Sequence, residues 1–325
     1  MPSSAVRTFS DPEEYAASTR ATRAELTVTG RGRFTAKLIR IDLHRLWMQR
    51  HSEDLARIKH SANVAGRAII SFCAQPGPSL LWSGVELHPS TIVQHSENQS
   101  HYQRSSGFTH YGSMSLPVAD IVAVGAAMAG CDLTPPKDPL ILTPPPLAMA
   151  KLQRLHAAAG RLAEKAPEII ANPDAARGLE QALVEAMISS LGGRQVREDS
   201  IARRQHAMIM RRFRRVVEEK PGESVYVTEI CKLIRVSERT LEVCCQEQLG
   251  VGPKRYLVLR RLHLARQALQ EAAPGATTVT DIATQYGFWH FGRFAGAYQS
   301  LFEESPAVTL HRQAEQRRSR FAEIG

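Results

Sequence analysis

The segment Val227-Thr-Glu-Ile-Cys231 returns 52 residues later as Val279-Thr-Asp-Ile-Ala283, and this repeat decides the fold of the C-terminal third. Each copy reads as the start of a helix: a Thr to cap it, an acid at its positive end, then an apolar and a small residue. The small residue, Cys231 or Ala283, leaves room for a second helix to cross closely. Four residues further on comes a turn, Arg235-Val236 in the first copy and Gly287-Phe288 in the second. Gly287 takes a left-handed conformation without penalty, whereas Arg235 takes it at a modest cost. Ser237 then caps a helix running ERTLEVCCQEQLG, with Leu241 and Cys245 on its inner face. After the second turn, Phe294, Tyr298 and Phe302 form an inner stripe at i, i+4, i+8. Gly252-Pro253 and Ser305-Pro306 follow the two helices, and each pair opens the next one.

Between the copies, residues 254–271 (KRYLVLRRLHLARQALQE) predict a long helix with Leu257, Leu262, Ala265 and Leu269 as its apolar positions. Upstream, Ile201 to Glu219 predicts a first packing helix with a basic outer face of Arg203, Arg204, Arg211, Arg212, Arg214 and Arg215. Charge is placed to match. Residues 201–325 hold 20 Lys+Arg against 13 Asp+Glu, while residues 1–200 hold 21 against 19. A basic excess on paired helix-turn-helix units suits phosphate neutralisation and counterion release.

The ordered series VTEIC, VSERTL, LGVGPKRYL, RRLHLARQAL, TVTDIATQYGF, GRFAGAYQSLF and SP over residues 201–312 resembles the DNA-binding domain of the AraC/XylS family of transcription regulators. The run GFWHFGRFAGAYQSLF resembles the XylS-like branch. The resemblance covers about a third of the chain. It implies that Arg239, Glu242 and Val243 occupy base-reading positions of the first recognition helix. There Arg suits guanine O6 and N7, Glu suits cytosine N4, and Val suits a thymine methyl. Thr240 and Gln246 lie beside them, off the buried stripe. In the second recognition helix the outward residues are Trp289, His290, Phe291, Gly292, Arg293 and Gly296, with Arg293 set for a phosphate or base and His290 for the backbone or the helix cap. Phosphate-clamp candidates on the intervening helix are Lys254, Arg255, Arg260, Arg261 and Arg266.

Residues 33–116 read as β-rich (FTAKLIRIDL, AIISFCA, LLWSGVEL, STIVQH and FTHYGSMSL between turn residues) and predict a small barrel or sandwich. Pro117 to Gly130 predicts a short apolar helix. Leu133 to Pro146, with six prolines, predicts a linker. Helices are expected at about 147–165 and 173–191. Their stripes Leu152, Leu155, Leu162 and Leu179, Leu183, Met187 suit core packing or, as the resemblance implies, a homodimer.

The expected fold class is therefore α+β. Residues 1–132 would form a cupin-like β-barrel or sandwich, 133–146 a linker, 147–192 a helical dimerisation pair, and 200–315 an all-α domain with two helix-turn-helix units. The resemblance makes the N-terminal part a sensing domain for a small-molecule effector. It implies promoter DNA and RNA polymerase as partners, and activation as the sign. Trp47, Phe72, Trp82 and Tyr102 are candidates to line an effector pocket or fill a core.

Other chemistry is not indicated. The sequence carries no G-x-S-x-G, H-E-x-x-H or P-loop, so no catalytic residue or cofactor is assigned. His88, His95, His101 and His110 lack the spacing of a metal set. The five cysteines fit no disulfide or zinc framework and read as reduced small hydrophobes. No stretch reaches the roughly 20 apolar residues of a membrane span and the first residues form no signal peptide, so the expected location is cytoplasmic. Two rival readings are a barrel enzyme fused to a DNA-targeting module and a nonspecific architectural DNA-binding protein.

Overall fold

The computed structural model describes residues 1–75, 77–192, 195–197, 201–219, 225–273 and 275–312. It divides into two compact units, Met1–Leu26 with Thr35–Ser200 and Thr27–Phe34 with Ile201–Gly325.

The first unit holds strands β1 (Ser3–Phe9), β2 (Thr22–Val28, whose last two residues fall in the second unit), β3 (Ala36–Asp42), β4 (Trp47–Glu53), β5 (Arg57–Asn63), β6 (Arg67–Cys73), β7 (Leu80–Trp82), β8 (Val85–Glu86), β9 (Ile92–Gln94), β10 (Ser100–Ser105), β11 (Thr109–Pro117), β12 (Leu140–Thr143) and β13 (Gln195–Arg197). Helices α1 (Pro12–Ala17), α2 (Val118–Ala129), α3 (Pro146–Lys165), α4 (Pro167–Ala171) and α5 (Pro173–Leu191) interrupt them. One sheet has the order β1-β3-β4-β11-β6-β9-β12-β13 and the other β2-β5-β10-β7-β8. The arrangement is two sheets, which settles the barrel-or-sandwich alternative in favour of the sandwich.

Strand alternation sends the two faces of the larger sheet to different environments. Met48, Ile70, Phe72, Met114 and Leu116 point to one face and join Leu152, Ala159, Leu183 and Met187 of α3 and α5 in a single core. His156 of α3 packs its ring against that face, edge-on to Phe72. A Cβ added at Gly112 would come within 2.4 Å of its ring, so β11 needs glycine there. The opposite face, towards the smaller sheet, carries Gln49, His51, Glu53, Ser71, Tyr111 and Ser115, all buried. This sandwich therefore keeps its larger apolar core under the helices, and the space between its sheets is divided between an apolar cluster around Leu80, Trp82, Val93 and Ile141 and this polar layer.

Three expectations need correction. The proline-rich stretch 133–146 is no free linker, because Leu140–Thr143 pairs antiparallel with β9 and β13. Residues 147–192 form no separate module, because their apolar stripes are consumed in the sandwich core. The strands also begin well before residue 33, with β1 and β2. Ser-Ser-Ala-Val-Arg-Thr-Phe offers little alternation, and register with β3 decides it (Ser3 opposite Asp42, Phe9 opposite Ala36).

The second unit contains α6 (Ile201–Glu219), α7 (Val227–Ile234), α8 (Glu238–Leu249), α9 (Pro253–Glu271), α10 (Val279–Gln285) and α11 (Phe291–Phe302). Residues 306–312 are helical as well. Phe294, Tyr298 and Phe302 pack with Leu259, Leu262, Ala265 and Leu269 of α9. On α9 the buried line passes through Tyr256 and Leu259, while Leu257 is only half-buried. The segment Thr27–Phe34 belongs here too. His263 Nε2 of α9 bonds the Val28 carbonyl (3.1 Å), and Gly32 N–H donates to the Leu301 carbonyl (3.4 Å).

The shared core of sheet and helices is testable through Leu152, which is fully buried. Leu152→Ala is expected to destabilise the first unit by about 2–5 kcal/mol in urea denaturation. The loss should be the same at low and high protein concentration. A loss that shrinks as concentration rises would instead assign Leu152 to a subunit interface.

Candidate nucleic-acid interface

The two turns of the repeat are the same backbone motif. In the first, Arg235 is left-handed (φ 57°) and Val236 N–H donates to the Cys231 carbonyl (3.1 Å). In the second, Gly287 is left-handed (φ 74°) and Phe288 N–H donates to the Ala283 carbonyl (2.9 Å). Both are the six-to-one bond of a helix terminated by a left-handed residue. The small residues Cys231 and Ala283 are buried beneath them.

The helix starts differ slightly from expectation. Thr228 and Thr280 lie inside the first turn and do not cap it. For α7 the Tyr226 N–H is held by the Glu229 carboxylate (3.3 Å). For α10, Thr278 and Asp281 bond reciprocally: Thr278 N–H to the Asp281 carboxylate at 3.0 Å, and Asp281 N–H to Thr278 Oγ1 at 3.1 Å. Ser237 caps α8 as expected, accepting from Thr240 N–H (3.0 Å). His290 stands at the N-cap of α11 but makes no capping bond with its side chain.

The buried stripes leave defined outer faces. On α8, Leu241, Cys244, Cys245 and Gln248 face inward, while Arg239, Glu242, Val243 and Gln246 are exposed and Thr240 is half-exposed. The Glu242 carboxylate lies against Gly252, where an added Cβ would come within 2.4 Å of it. Gly252 is the N-cap of α9, so this acid sits at the positive end of a helix, a stabilising position that competes with reading a base. On α11, Phe291, Gly292, Arg293 and Gly296 are exposed, and so are Trp289 and His290 just before it. Trp289 is 70% exposed, an unusual cost for an indole in water. Gly292 and Gly296 are four residues apart, and a Cβ at either would meet nothing. They form a bare strip along the outer face of α11.

The cations of α9 divide into two groups. Lys254 and Arg255 are exposed. Arg260 and Arg266 are buried, the latter over the Phe302 ring and 3.7 Å from Glu304. Arg261 is half-buried, donating to the Gly287 carbonyl (3.4 Å) and lying over the Phe288 ring (5.0 Å). Arg261 thus braces the second turn, because the wrapped helices cover this side of α9. Of the α6 arginines, Arg204, Arg211, Arg212 and Arg215 are exposed, while Arg214 is buried against Glu218 and Tyr256. Lys232 and Arg235 are exposed beside the first turn, and neither is assigned to DNA from the sequence, where Arg235 enters only as the turn residue. The signal was there: the inward stripe Ile230, Cys231, Ile234 leaves 232 and 235 facing out.

A helix-turn-helix domain family matches residues 230–312, which span both repeats. Residues 230–312 form an AraC-type helix-turn-helix domain. Two curated relatives from Pseudomonas putida share it. XylDLEGF operon transcriptional activator 3 is 36% identical over 103 residues, 31% of this chain and 31% of the relative. XylDLEGF operon transcriptional activator 2 is 35% identical over 101 residues, 30% of this chain and 64% of the relative. The likeness therefore spans less than two thirds of either relative. Among solved structures, an AraC-type transcriptional regulator from Chromobacterium violaceum aligns with 34% of this chain and 96% of its own, at 24% identity and a TM-score of 0.31.

The AraC-type turns make unequal demands on their residues. Gly287→Ala puts a Cβ into a left-handed position and is expected to cost about 1–2 kcal/mol in thermal denaturation. Arg235→Gly, which removes the same strain from the first turn, should stay within about 1 kcal/mol of the parent. Equal losses at both positions would mean that the turns are not equivalent.

Proposed function

We propose that this chain is a sequence-specific DNA-binding transcription regulator that reads two adjacent major-groove segments with α8 and α11. The observation that carries the reading is the bond-for-bond identity of the two turns, each presenting a helix whose outer face is free of core contacts. Helix α9, with 19 residues, is roughly 28 Å long, and it packs against both α8 and α10. That length suits two readers about one helical turn of DNA, roughly 34 Å, apart.

Roles follow from the outer faces. Arg239 and Arg293 are the direct readers, one in each helix. Val243 and Phe291 supply apolar contact to base methyl groups, with Thr240, Gln246 and His290 at their flanks. Lys254 and Arg255, with the exposed arginines of α6, hold phosphates. The bare strip of Gly292 and Gly296 lets the α11 backbone approach the DNA closely. Glu242 and Arg261 serve the scaffold.

The relatives named as activators support activation as the sign, with promoter DNA, RNA polymerase and a second copy of the chain as partners. The first unit would then respond to a small-molecule effector. No helix among the described residues is long and apolar enough to cross a membrane, which accords with a cytoplasmic role. The reading includes no catalytic step.

The test is sequencing of genomic fragments retained by the full-length protein at about 150 mM salt, where nonspecific phosphate binding is weakened. One enriched site with two conserved segments is expected. Arg239→Ala should relax one segment and Arg293→Ala the other, each at a cost of about 1–3 kcal/mol on the parent site. Retention without any shared motif would support the architectural reading instead.

A further inference from the structure

The layer between the two sheets of the first unit contains charge that the protein does not balance. Among the described residues of that unit, the buried Lys, Arg, Asp and Glu side chains are Glu53, Arg57 and Lys59, one carboxylate against two cations. Glu53 is already engaged. Its Oε1 accepts from Tyr15 (2.7 Å) and Tyr111 (3.1 Å), and its Oε2 takes the Arg57 guanidinium. Lys59 is left with the neutral Tyr111 hydroxyl (2.8 Å) as its hydrogen-bond acceptor among the described residues, although an ammonium carries three donors. Burial accordingly pushes Lys59 down to about 8, with Glu53 pulling up and Arg57 pushing down.

This ammonium borders a cavity of about 40 Å³. Its lining includes His95, His101, Ser61, Ser71 and Gln103, and Ile69 is its one aliphatic residue. The lining reaches half-exposed Arg20 and Thr22, which gives the cavity a side towards solvent. His95 is buried and bonds Ser71 through Nε2 (2.8 Å), while its Nδ1 has no partner. Burial holds this ring neutral, at about 3, helped by the Lys59 charge. In a neutral imidazole Nδ1 is either an open donor or an open acceptor. A buried cation and an imidazole nitrogen thus border one site with bonding capacity that the protein itself leaves open. It repels a metal ion and favours an anion.

We propose that this chamber is a binding site for a small monocarboxylate bearing a neighbouring hydroxyl, with the carboxylate on Lys59 and the hydroxyl on His95. A cavity of this size admits only a small ligand, and its opening by Arg20 and Thr22 gives that ligand a way in. A plain alcohol lacks the charge, and a plain carboxylate leaves a polar partner unfilled. The inference deepens the effector reading of the first unit and not the DNA-binding one, so its test uses no DNA.

The probes are glycolate, acetate and ethylene glycol, titrated into full-length protein at pH 7 and constant ionic strength with chloride as the balancing ion. Isothermal titration and thermal denaturation are the readouts. Glycolate should bind saturably and raise Tm, acetate should bind at least several-fold more weakly, and ethylene glycol should do neither. Lys59→Met, which removes the unbalanced charge, should stay folded and weaken glycolate at least tenfold. Glycolate behaving like chloride, or binding Lys59→Met as well as the parent, would overturn the proposal. Should Lys59→Met not fold, the comparison of glycolate with ethylene glycol on the parent protein still decides.

Discussion

The six-to-one hydrogen bond that closes each helix-turn-helix is the constraint on which the C-terminal unit rests. Val236 N–H reaching the Cys231 carbonyl, and Phe288 N–H the Ala283 carbonyl, fix where the chain leaves one helix and enters the next. That bond requires a left-handed residue, and the chain supplies Gly287 in one copy and Arg235 in the other. It also brings the next helix close, which only a residue as small as Cys231 or Ala283 allows. Once both turns are set, the stripes Leu241–Cys245 and Phe294–Tyr298–Phe302 must face inward, and the opposite faces of α8 and α11 are presented outward together. Arg261, bonded to the Gly287 carbonyl, ties the second turn back to α9.

The first unit follows a different logic. Its larger sheet gives its apolar face to helices α3 and α5 and its polar face to the second sheet. Hydrocarbon fills part of the space between its sheets, around Leu80, Trp82, Val93 and Ile141, and a sandwich that was only a scaffold would gain by filling the rest the same way. Here Arg57, Glu53, Tyr15 and Tyr111 form a bonded network instead, and Lys59 and His95 border a cavity. Breaking such a network is costly, while replacing it whole by packed hydrocarbon is often neutral or stabilising. Its presence is better accounted for by recognition than by stability.

What was legible in the sequence tracks the physics of each part. The helix-turn-helix units were readable to within a residue or two because caps, small residues and turn residues act locally. The limit there is tertiary: Arg260 and Arg266 look like surface cations on α9 yet are buried, and Arg261 is half-buried against Gly287 and Phe288. In the first unit, strands such as Arg57-Ile-Lys-His-Ser-Ala-Asn63 could not be recognised, because nearly every residue is buried whatever its polarity. Burial normally marks strands through alternation, and a polar interior erases that mark. Thus His95 and His101, dispersed in sequence, meet with ring centroids 4.8 Å apart. The proline-rich stretch misled for the opposite reason, since Leu140-Ile-Leu-Thr143 sits between prolines and still completes the sheet.

On the proposed reading, two helices held at one distance by α9 read two segments of DNA as a rigid pair. The most direct test is to insert five base pairs between the two segments of a selected site and measure affinity by fluorescence anisotropy. Half a helical turn moves one segment to the far side of the duplex, so affinity is expected to fall to that of a site with one segment scrambled. Full affinity for the lengthened site would contradict the account, because it would mean that α8 and α11 are not fixed relative to one another or that only one of them reads DNA.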